Sequence, residues 1–169
     1  MSPSTNATAM PEIIEALTDD HLAMVRVLFR EYAASIGIDL GFQGFDDELR
    51  TLPGRYAAPR GGLFIAIDGP DPVGCVGLRP LKDHGIAELK RLYVRPSARG
   101  TGSGQRLAEQ AIARAREAGY QRIRLDTLAM MHDAQRLYRR LGFTDIAPYT
   151  FNPLPGAVFM ELDLRMRVA

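Results

Sequence analysis

The chain has little or nothing of several features that would define its class early. Cys75 is the only cysteine among 169 residues, which excludes an intrachain disulfide. No apolar run approaches the roughly 20 residues of a membrane-spanning helix. The first ten residues have neither a basic start nor an apolar stretch, so residues 1–11 are typical of a frayed tail and not of a secretory signal. We therefore expect a cytoplasmic protein with a single domain over residues 12–169.

Charge is unevenly distributed, although the net charge is only +1. Residues 88–142 hold 12 Lys or Arg against 5 Asp or Glu, whereas residues 1–87 hold 7 against 12. A basic region of this kind attracts a polyanionic cofactor, and solvated helix faces account for part of the same arginines. The basic residues are not interleaved with exposed aromatic residues, so no nucleic-acid surface is expected.

The single cysteine and the three histidines do not indicate a reactive or metal-binding site. Cys75 lies in the apolar run 72–78, which favours a buried hydrophobic residue over a nucleophile. His21, His84 and His132 are too scattered to suggest a set of metal ligands, and no metal is expected.

The most informative segment is Glu88–Leu107, which reads as a strand, a glycine-rich turn and the start of a helix. Arg99, Gly102 and Gly104 give it the pattern Arg-x-x-Gly-x-Gly. Backbone N–H groups in such a turn point inward, and the helix that follows adds unpaired donors and the positive end of its dipole. The segment therefore predicts a site for a pyrophosphate.

The spacing of the turn excludes one common phosphate loop and fits another badly. A nucleotide P-loop needs Gly-x-x-x-x-Gly-Lys-Ser/Thr, but Gly100 is followed five residues later by Gln105, and no lysine follows the turn. The Rossmann fingerprint that starts at Gly100 and Gly102 would need a third glycine at Gln105 as well.

What is left resembles the pyrophosphate loop of the GNAT superfamily of acetyl-CoA-dependent N-acetyltransferases. Glu88–Pro96 is similar to the family's central strand, and Ala134–Phe143 is similar to its later helix, which ends in Tyr-x-x-x-Gly-Phe. The resemblance extends over about residues 63–145. The chain departs from the family pattern at Met131. Many members have an asparagine at this position whose amide contacts the pantetheine arm, whereas a methionine can only pack there.

Hydrophobic patterning and turn residues predict an order of elements that matches this fold. The implied class is α/β, or α+β in three layers, with a mixed and mostly antiparallel sheet whose central strands splay apart between flanking helices. The predicted strands are Glu12–Leu17, Gly62–Ile67, Val73–Arg79, Gly85–Val94, Gln121–Thr127, Thr144–Ala147 and Val158–Leu164. The predicted helices are Asp19–Ser35 with Thr18 as N-cap, a short Phe45–Leu52 within an irregular arm over residues 37–60, a helix from the turn to Gly119, and His132–Leu141.

The resemblance implies transfer of an acetyl group from acetyl-CoA to an amine by direct attack in a ternary complex. The turn would hold the pyrophosphate, and the backbone of the preceding strand would pair with the pantetheine arm and donate to the thioester oxygen. The implied cofactor-binding residues are Leu92, Tyr93, Val94, Arg99, Gly100, Thr101, Gly102, Ser103 and Gly104.

Two side chains are the catalytic candidates. Glu88 lies eleven residues before Arg99, where several members have a general base, and strand alternation predicts that it shares a face with Lys90, Leu92 and Val94. A structural ion pair with a neighbouring Lys or Arg is an equally good interpretation. Tyr138 matches tyrosines that donate to the departing sulfur, and its alternative role is that of a core aromatic residue.

The acceptor site is less well defined by the sequence. The substrate-binding candidates are Phe42 and Gln43 in the arm, Arg79, and Asp126 and Thr127 on a later strand. Further arm residues, namely Phe45, Arg55 and Tyr56, and the later Tyr149 and Asn152 also flank the expected pocket. Arg79 or Lys90 could bind a carboxylate, which would favour an amino-acid-like amine.

The resemblance implies a small-molecule amine acceptor and no membrane partner. Two alternatives stay open, namely acetylation of a protein lysine or N-terminus, and a non-catalytic module that senses acyl-CoA. Members of the superfamily commonly dimerise, and no feature of this sequence decides between a monomer and a homodimer.

Overall fold

Seven strands and four α-helices follow one another in the predicted order within residues 10–165, which the computed structural model describes. The strands are β1 (Glu12–Glu15), β2 (Gly62–Asp68), β3 (Asp71–Pro80), β4 (Ile86–Val94), β5 (Arg122–Thr127), β6 (Thr144–Ile146) and β7 (Val158–Asp163). The helices are α1 (Asp19–Ile36), α2 (Phe45–Thr51), α3 (Ser103–Glu117) and α4 (His132–Arg140). Short 3₁₀ turns occupy Gly41–Gln43, Gly54–Tyr56 and Pro96–Ala98.

The strands form one mixed sheet in the order β1-β2-β3-β4-β5-β7-β6, as the predicted fold class requires. Every neighbouring pair is antiparallel except β4 and β5, which are parallel and pair over only three residues, from Ile86 to Glu88. Beyond Glu88 the two strands separate. The edge of β4 that faces β5 is therefore open from Leu89 to Val94.

The two faces of the sheet carry separate apolar clusters, so the molecule has three layers. One cluster packs α3 against the sheet, and Leu107, Ala108, Ala111 and Ala115 are its fully buried helix residues. The other packs α1 through Val25, Leu28 and Phe29. The start of α1 is fixed as predicted, because the Thr18 hydroxyl accepts a hydrogen bond from the His21 N–H at 3.1 Å.

A bulge in β4 corrects the predicted alternation. Gly77 pairs with Lys90 and Cys75 pairs with Tyr93, so Arg91 and Leu92 together lie opposite a single residue of β3. Arg91 takes up the extra length with a φ of 59°. Glu88, Lys90 and Tyr93 therefore share the α1 face, whereas Leu92 and Val94 pack against the α3 cluster. The prediction that Leu92 and Val94 share a face with Glu88 was wrong.

Most predicted boundaries differ from the observed ones by one or two residues. The turn between β2 and β3 is shorter than predicted, because β3 begins at Asp71 and so includes Pro72. Pro72 pairs with Ile67, next to a register shift between Ala66 and Ile67. This irregularity in the pairing accommodates the N–H group that the proline lacks.

Cys75 is fully buried, as its apolar setting predicts, and its thiol donates to the carbonyl oxygen of Arg91 at 3.4 Å. Burial raises the pKa of the thiol. Of the predicted tail, residues 1–9 lie outside the described part of the chain. Within residues 10–165, no helix has the length and apolar character needed to span a membrane.

Candidate active site

The glycine loop, residues 99–104, follows the 3₁₀ turn after β4, leads into α3 and lies at one end of a cleft of about 570 Å³. We call this the loop cleft. Leu92, Tyr93 and Val94 form one wall and the first turn of α3 forms its end. Residues around the start of α4, including Met131, Ala134 and Leu137, form the opposite wall. The cleft lies where β4 and β5 separate, so the open backbone edge of β4 borders it.

The first turn of α3 presents unpaired backbone donors to the loop cleft. Arg106 is the first residue of the helix whose N–H binds a carbonyl, that of Gly102, so within residues 10–165 the N–H groups of Ser103, Gly104 and Gln105 have no backbone acceptor. Gly102 caps the helix with a φ of +81° and supplies no side-chain acceptor. A Cβ on Gly102 would meet no atom within 4 Å and would project into open space. This arrangement suits a bound anion.

The other loop residues line the cleft or hold its shape. Arg99, Gly100, Ser103 and Gly104 line it, together with Gly102. Thr101 does not line it, because its hydroxyl turns inward, donates to the Ala98 carbonyl at 2.6 Å and lies 2.7 Å from the Ser103 hydroxyl. The Thr101 side chain thus stabilises the loop. Arg136 and Arg140 of α4 add positive charge to the cleft, and Met131 lines it as an apolar wall.

A narrow cavity of about 30 Å³ lies next to the loop cleft, and Tyr138 lines it. Tyr32, Leu92 and Met131 line both spaces. The Tyr138 ring packs against Phe143 with centroids 5.7 Å apart, while its hydroxyl has no hydrogen-bond partner among residues 10–165. Burial raises the pKa of Tyr138, so the phenol stays protonated at neutral pH and is available as a donor.

A second large cleft, of about 460 Å³, opens on the other side of the narrow cavity. We call it the arm cleft, because Phe42, Gln43 and Arg55 of the arm form part of its wall. Gln43, Lys90 and Asp126 line both the arm cleft and the narrow cavity. The loop cleft, the narrow cavity and the arm cleft therefore adjoin in series, with Tyr138 in the middle.

Glu88 lines the arm cleft and is 2% exposed. One of its oxygens accepts a hydrogen bond from Arg79 Nε at 2.9 Å, and the other accepts one from the Tyr149 hydroxyl at 2.6 Å. Burial, and next the charge of Glu88, raise the pKa of Tyr149, which keeps its phenol protonated as the donor. The ion pair that the sequence left open is thus present. A carboxylate has further lone pairs, so Glu88 can still accept a proton or another hydrogen bond.

Lys90 and Asp126 form a buried pair where the arm cleft meets the narrow cavity. Lys90 Nζ lies 3.5 Å from Asp126 Oδ1 and 3.3 Å from Gln43 Oε1. Asp126 Oδ2 accepts a hydrogen bond from Asn152 Nδ2 at 3.1 Å. Burial lowers the pKa of Lys90. Of the substrate-binding candidates, Phe42, Gln43, Arg79 and Asp126 therefore line the arm cleft.

Three residues expected at this site have other positions. Thr127 does not reach the arm cleft and lines the narrow cavity. Tyr56 is 3% exposed beneath the cleft, because its ring packs edge-on against Phe29 at 6.0 Å and over Gly77. Phe45 packs under the guanidinium of Arg91, at 5.2 Å from ring centroid to Cζ. Tyr56 and Phe45 therefore lie in the arm, as expected, but do not line the arm cleft.

Sequence reasoning missed the residues that fasten the arm to the sheet. Glu48 of α2 accepts hydrogen bonds from Arg91 Nε at 3.0 Å and from Arg79 at 3.4 Å. Arg91 also donates to Gln43 at 2.7 Å. The acidic run 46–48 was visible in the sequence, but nothing there indicated that its last member is buried against β3 and β4. Within residues 10–165, no cluster of His, Cys, Asp and Glu has the arrangement of a metal site.

Comparison with known proteins identifies the family. The family model described as "Acetyltransferase (GNAT) family" matches residues 23–143. An uncharacterized N-acetyltransferase of Schizosaccharomyces pombe is 36% identical, with the alignment covering 97% of this chain and 98% of that protein. An IAA acetyltransferase of Azospirillum brasilense is 38% identical over 69% of this chain and 74% of its own length.

Solved structures give the same answer for the fold. A Streptococcus agalactiae acetyltransferase superposes with a TM-score of 0.76 at 25% identity, covering 92% of this chain and 99% of that one. The acetyltransferase yncA of Salmonella typhimurium, solved with its cofactor acetyl-CoA, has a TM-score of 0.71 at 18% identity, covering 95% of this chain and 97% of that one. The family model and the relatives confirm the resemblance, and the chain belongs to the GNAT family of N-acetyltransferases.

Proposed function

We propose that this enzyme transfers acetyl from acetyl-CoA to the primary amine of a small molecule within a ternary complex. The series of three adjoining spaces carries the proposal. A cofactor in the loop cleft and an amine in the arm cleft could both be bound at once, and they would meet at the narrow cavity that Tyr138 lines.

The residues of the loop cleft fit acetyl-CoA. The unpaired N–H groups of Ser103, Gly104 and Gln105 suit a pyrophosphate, and Arg99, Arg136 and Arg140 supply matching charge. The open edge of β4 offers backbone groups to the amide-containing arm. Acetyl-CoA supplies an acetyl group that is activated as a thioester.

Tyr138 is the proposed proton donor in this reaction. Its phenol is protonated and lines the space between the two clefts, and no other described residue takes up its hydroxyl. A departing thiolate benefits from a donor at this point. A tyrosine that served packing alone could be a phenylalanine.

Glu88 is the proposed proton acceptor, acting directly or through water. An amine is mostly protonated at neutral pH and must lose a proton before it can attack. A carboxylate that borders the arm cleft could accept that proton. Its ion pair with Arg79 and its hydrogen bond from Tyr149 hold the carboxylate in one orientation while leaving lone pairs free. The structural and catalytic roles are therefore compatible.

The shape of the arm cleft favours a small acceptor over a protein chain. Phe42 of the arm meets Phe151 of the segment between β6 and β7, with ring centroids 6.3 Å apart and planes at 87°. Both side chains line the cleft, so their contact joins the arm to this later segment at the cleft wall. Its volume is also within the range of small-molecule pockets.

Calorimetric titration with acetyl-CoA, followed by thiol release across a panel of small amines, amino acids and lysine peptides, tests the proposal. We expect binding, and release that depends on a small amine. Cys75 is buried and should contribute no background to a thiol assay. Release with peptides alone would favour a protein acceptor. Binding without release would favour an acyl-CoA sensor, and no binding would overturn the assignment of the loop.

A further inference from the structure

The charged side chains around the arm cleft do not cancel, and the excess positive charge comes from residues that do not line the narrow cavity with Tyr138. Seven charged residues line the cleft, namely Arg55, Arg79, Lys82, Asp83, Glu88, Lys90 and Asp126. Arg79 pairs with Glu88 at 2.9 Å, Lys90 lies 3.5 Å from Asp126, and Asp83 lies 3.5 Å from Arg124 outside the lining. Among residues 10–165, Arg55 and Lys82 have no acidic partner within ion-pair distance.

Arg55 and Lys82 come from different segments but lie on the same wall. The Arg55 guanidinium donates to the carbonyl oxygen of Pro80 at 2.5 Å, and Lys82 follows Pro80 by two residues. The carbonyl orients the guanidinium without neutralising it. A guanidinium has five N–H donors, so several are left for another acceptor. The result is a partly oriented cation and a second, exposed cation on the lining of the same cleft.

The proposed reaction determines which end of the cleft receives the amine. An amine that reacts must reach the narrow cavity, and the arm cleft meets that cavity at Gln43, Lys90 and Asp126. This inner end holds the buried carboxylate of Asp126, whose side chain is 5% exposed and whose distance from Lys90 is long for an ion pair. A carboxylate with a weakly held partner can accept a hydrogen bond from an entering ammonium group.

From these two ends we infer that the acceptor is an amine that also carries an anionic group, a carboxylate or a phosphate. Its amine lies toward Asp126 and its anion binds Arg55 and Lys82. This differs from the prediction from sequence that Arg79 or Lys90 binds a carboxylate, because both of those cations already have acidic neighbours inside the cleft. The inference names the substrate class of the proposed function and rests on it.

Matched pairs of amines test the inference through thiol release. Each pair differs only in the anion: β-alanine against β-alaninamide, and L-phenylalanine against L-phenylalaninamide, with O-phosphoethanolamine as the phosphate arm. We expect kcat/KM for the acid to exceed that for the amide by roughly tenfold, and the ratio to fall in 0.5 M NaCl because exposed charges are screened. Preference for O-phosphoethanolamine over β-alanine would identify the anion as a phosphate.

One double variant and one control variant assign the effect to the proposed residues. The double variant Arg55→Gln with Lys82→Gln should bring the ratio of acid to amide close to one. Arg50→Gln is the control, because Arg50 is an exposed arginine of the same arm, lies outside the cleft lining and, within residues 10–165, forms an ion pair with Asp47 alone. A ratio near one in the wild type, or a ratio that the double variant keeps, would overturn the inference.

A binding measurement separates this inference from the proposed function. Calorimetry with 3-phenylpropionate, an anion without an amine, needs no turnover. Binding to the wild type and to Arg50→Gln, with loss in the double variant, would support the anion site even if no amine gave thiol release. Thiol release from neutral amines, with no binding of 3-phenylpropionate, would leave the proposed function intact and remove the inference.

Discussion

The loop cleft and the arm cleft are built in opposite ways. The hydrogen-bonding groups of the loop cleft are mainly backbone groups: unpaired N–H groups at the start of α3, a glycine at a positive φ, and the open edge of β4, with arginine side chains adding charge around them. The arm cleft consists of side chains whose charges come from the arm, from β3, β4 and β5, and from the segment between β3 and β4. One site is encoded by a few consecutive residues, and the other by residues far apart in the sequence.

This difference has a functional meaning. Backbone groups cannot be changed by most substitutions, so a site made from them suits a cofactor that the whole family shares. Side-chain networks change with single substitutions, and a site made from them suits an acceptor that differs among members. The buried network of Glu48, Arg79, Glu88 and Arg91 also fixes the arm to the sheet, so it links the shape of the acceptor site to the stability of the fold.

The largest effect should come from breaking the backbone site at Gly102. Gly102→Val places a β-branched residue at a φ of +81° and projects carbon into the loop cleft, so acetyl-CoA affinity should fall by roughly 100-fold or more. Calorimetry measures this loss. Gly119→Val is the matched control. Gly119 follows the C-terminal end of α3, has a φ of +82° and equally open surroundings, and does not line the cleft. Equal affinities in both variants would contradict the role of the loop.

Tyr138→Phe should separate binding from chemistry at the junction of the two clefts. Loss of the proton donor should lower kcat by roughly 100-fold, while the acetyl-CoA dissociation constant stays within about twofold. Steady-state thiol release and calorimetry measure the two quantities. Tyr120→Phe is the control: its buried hydroxyl donates to the Arg60 carbonyl at 2.7 Å, so its removal should lower stability without lowering kcat. A fully active Tyr138→Phe enzyme would assign the tyrosine to packing.

Glu88→Gln tests whether the side-chain site contains the base. With Glu88 as proton acceptor, log kcat/KM should rise with pH through one ionisation that is absent from the variant, and the maximal rate should fall by roughly 100-fold. Tyr149→Phe is the companion variant, since it removes the hydrogen bond at 2.6 Å but keeps the carboxylate. An unchanged pH profile in Glu88→Gln, together with a lower melting temperature, would make the ion pair with Arg79 purely structural.

The smallest effect concerns an ion pair that borders the backbone site. Arg95 donates to Glu31 at 2.8 and 2.6 Å and so ties α1 to the end of β4. The hydrogen bond from Arg95 lowers the pKa of Glu31 below its ordinary value of 4.5, so the pair stabilises the fold above that pH and loses its contribution as the carboxylate protonates on acidification. Both side chains are about 30% exposed, so the contribution should be at most about 1 kcal/mol.

Glu31→Gln should therefore lower the free energy of unfolding at pH 7, and the difference from the wild type should be smaller at about pH 3, where the Glu31 carboxylate begins to protonate. Urea denaturation at the two pH values measures both. Acetyl-CoA affinity should not change, because the donors of the loop cleft are backbone groups of α3. The exposed Glu117, 3.6 Å from Arg114, is the control, and Glu117→Gln should leave stability within about 0.5 kcal/mol at either pH.

Local features of the chain were predictable from the sequence, and contacts between distant segments were not. The glycine loop, the Thr18 cap and the order of strands follow from spacing and turn residues within short windows. The bulge at Arg91 was missed because no proline or glycine marks it. The bulge reverses the alternation of side chains after Arg91, so the predicted face of Leu92 and Val94 was wrong. An ion pair of Glu88 with a neighbouring cation was expected, but its hydrogen bond from Tyr149 was not, because Tyr149 lies 61 residues away in the sequence.

A titration of acetyl-CoA into three proteins tests the central claim most directly. The wild type and Tyr138→Phe should bind with similar affinity, while Gly102→Val should show no measurable heat over the same concentrations. That pattern would establish a cofactor site built from the backbone of the loop, separate from the groups that carry out the reaction. Failure of the wild type to bind, or wild-type affinity in Gly102→Val, would contradict the account.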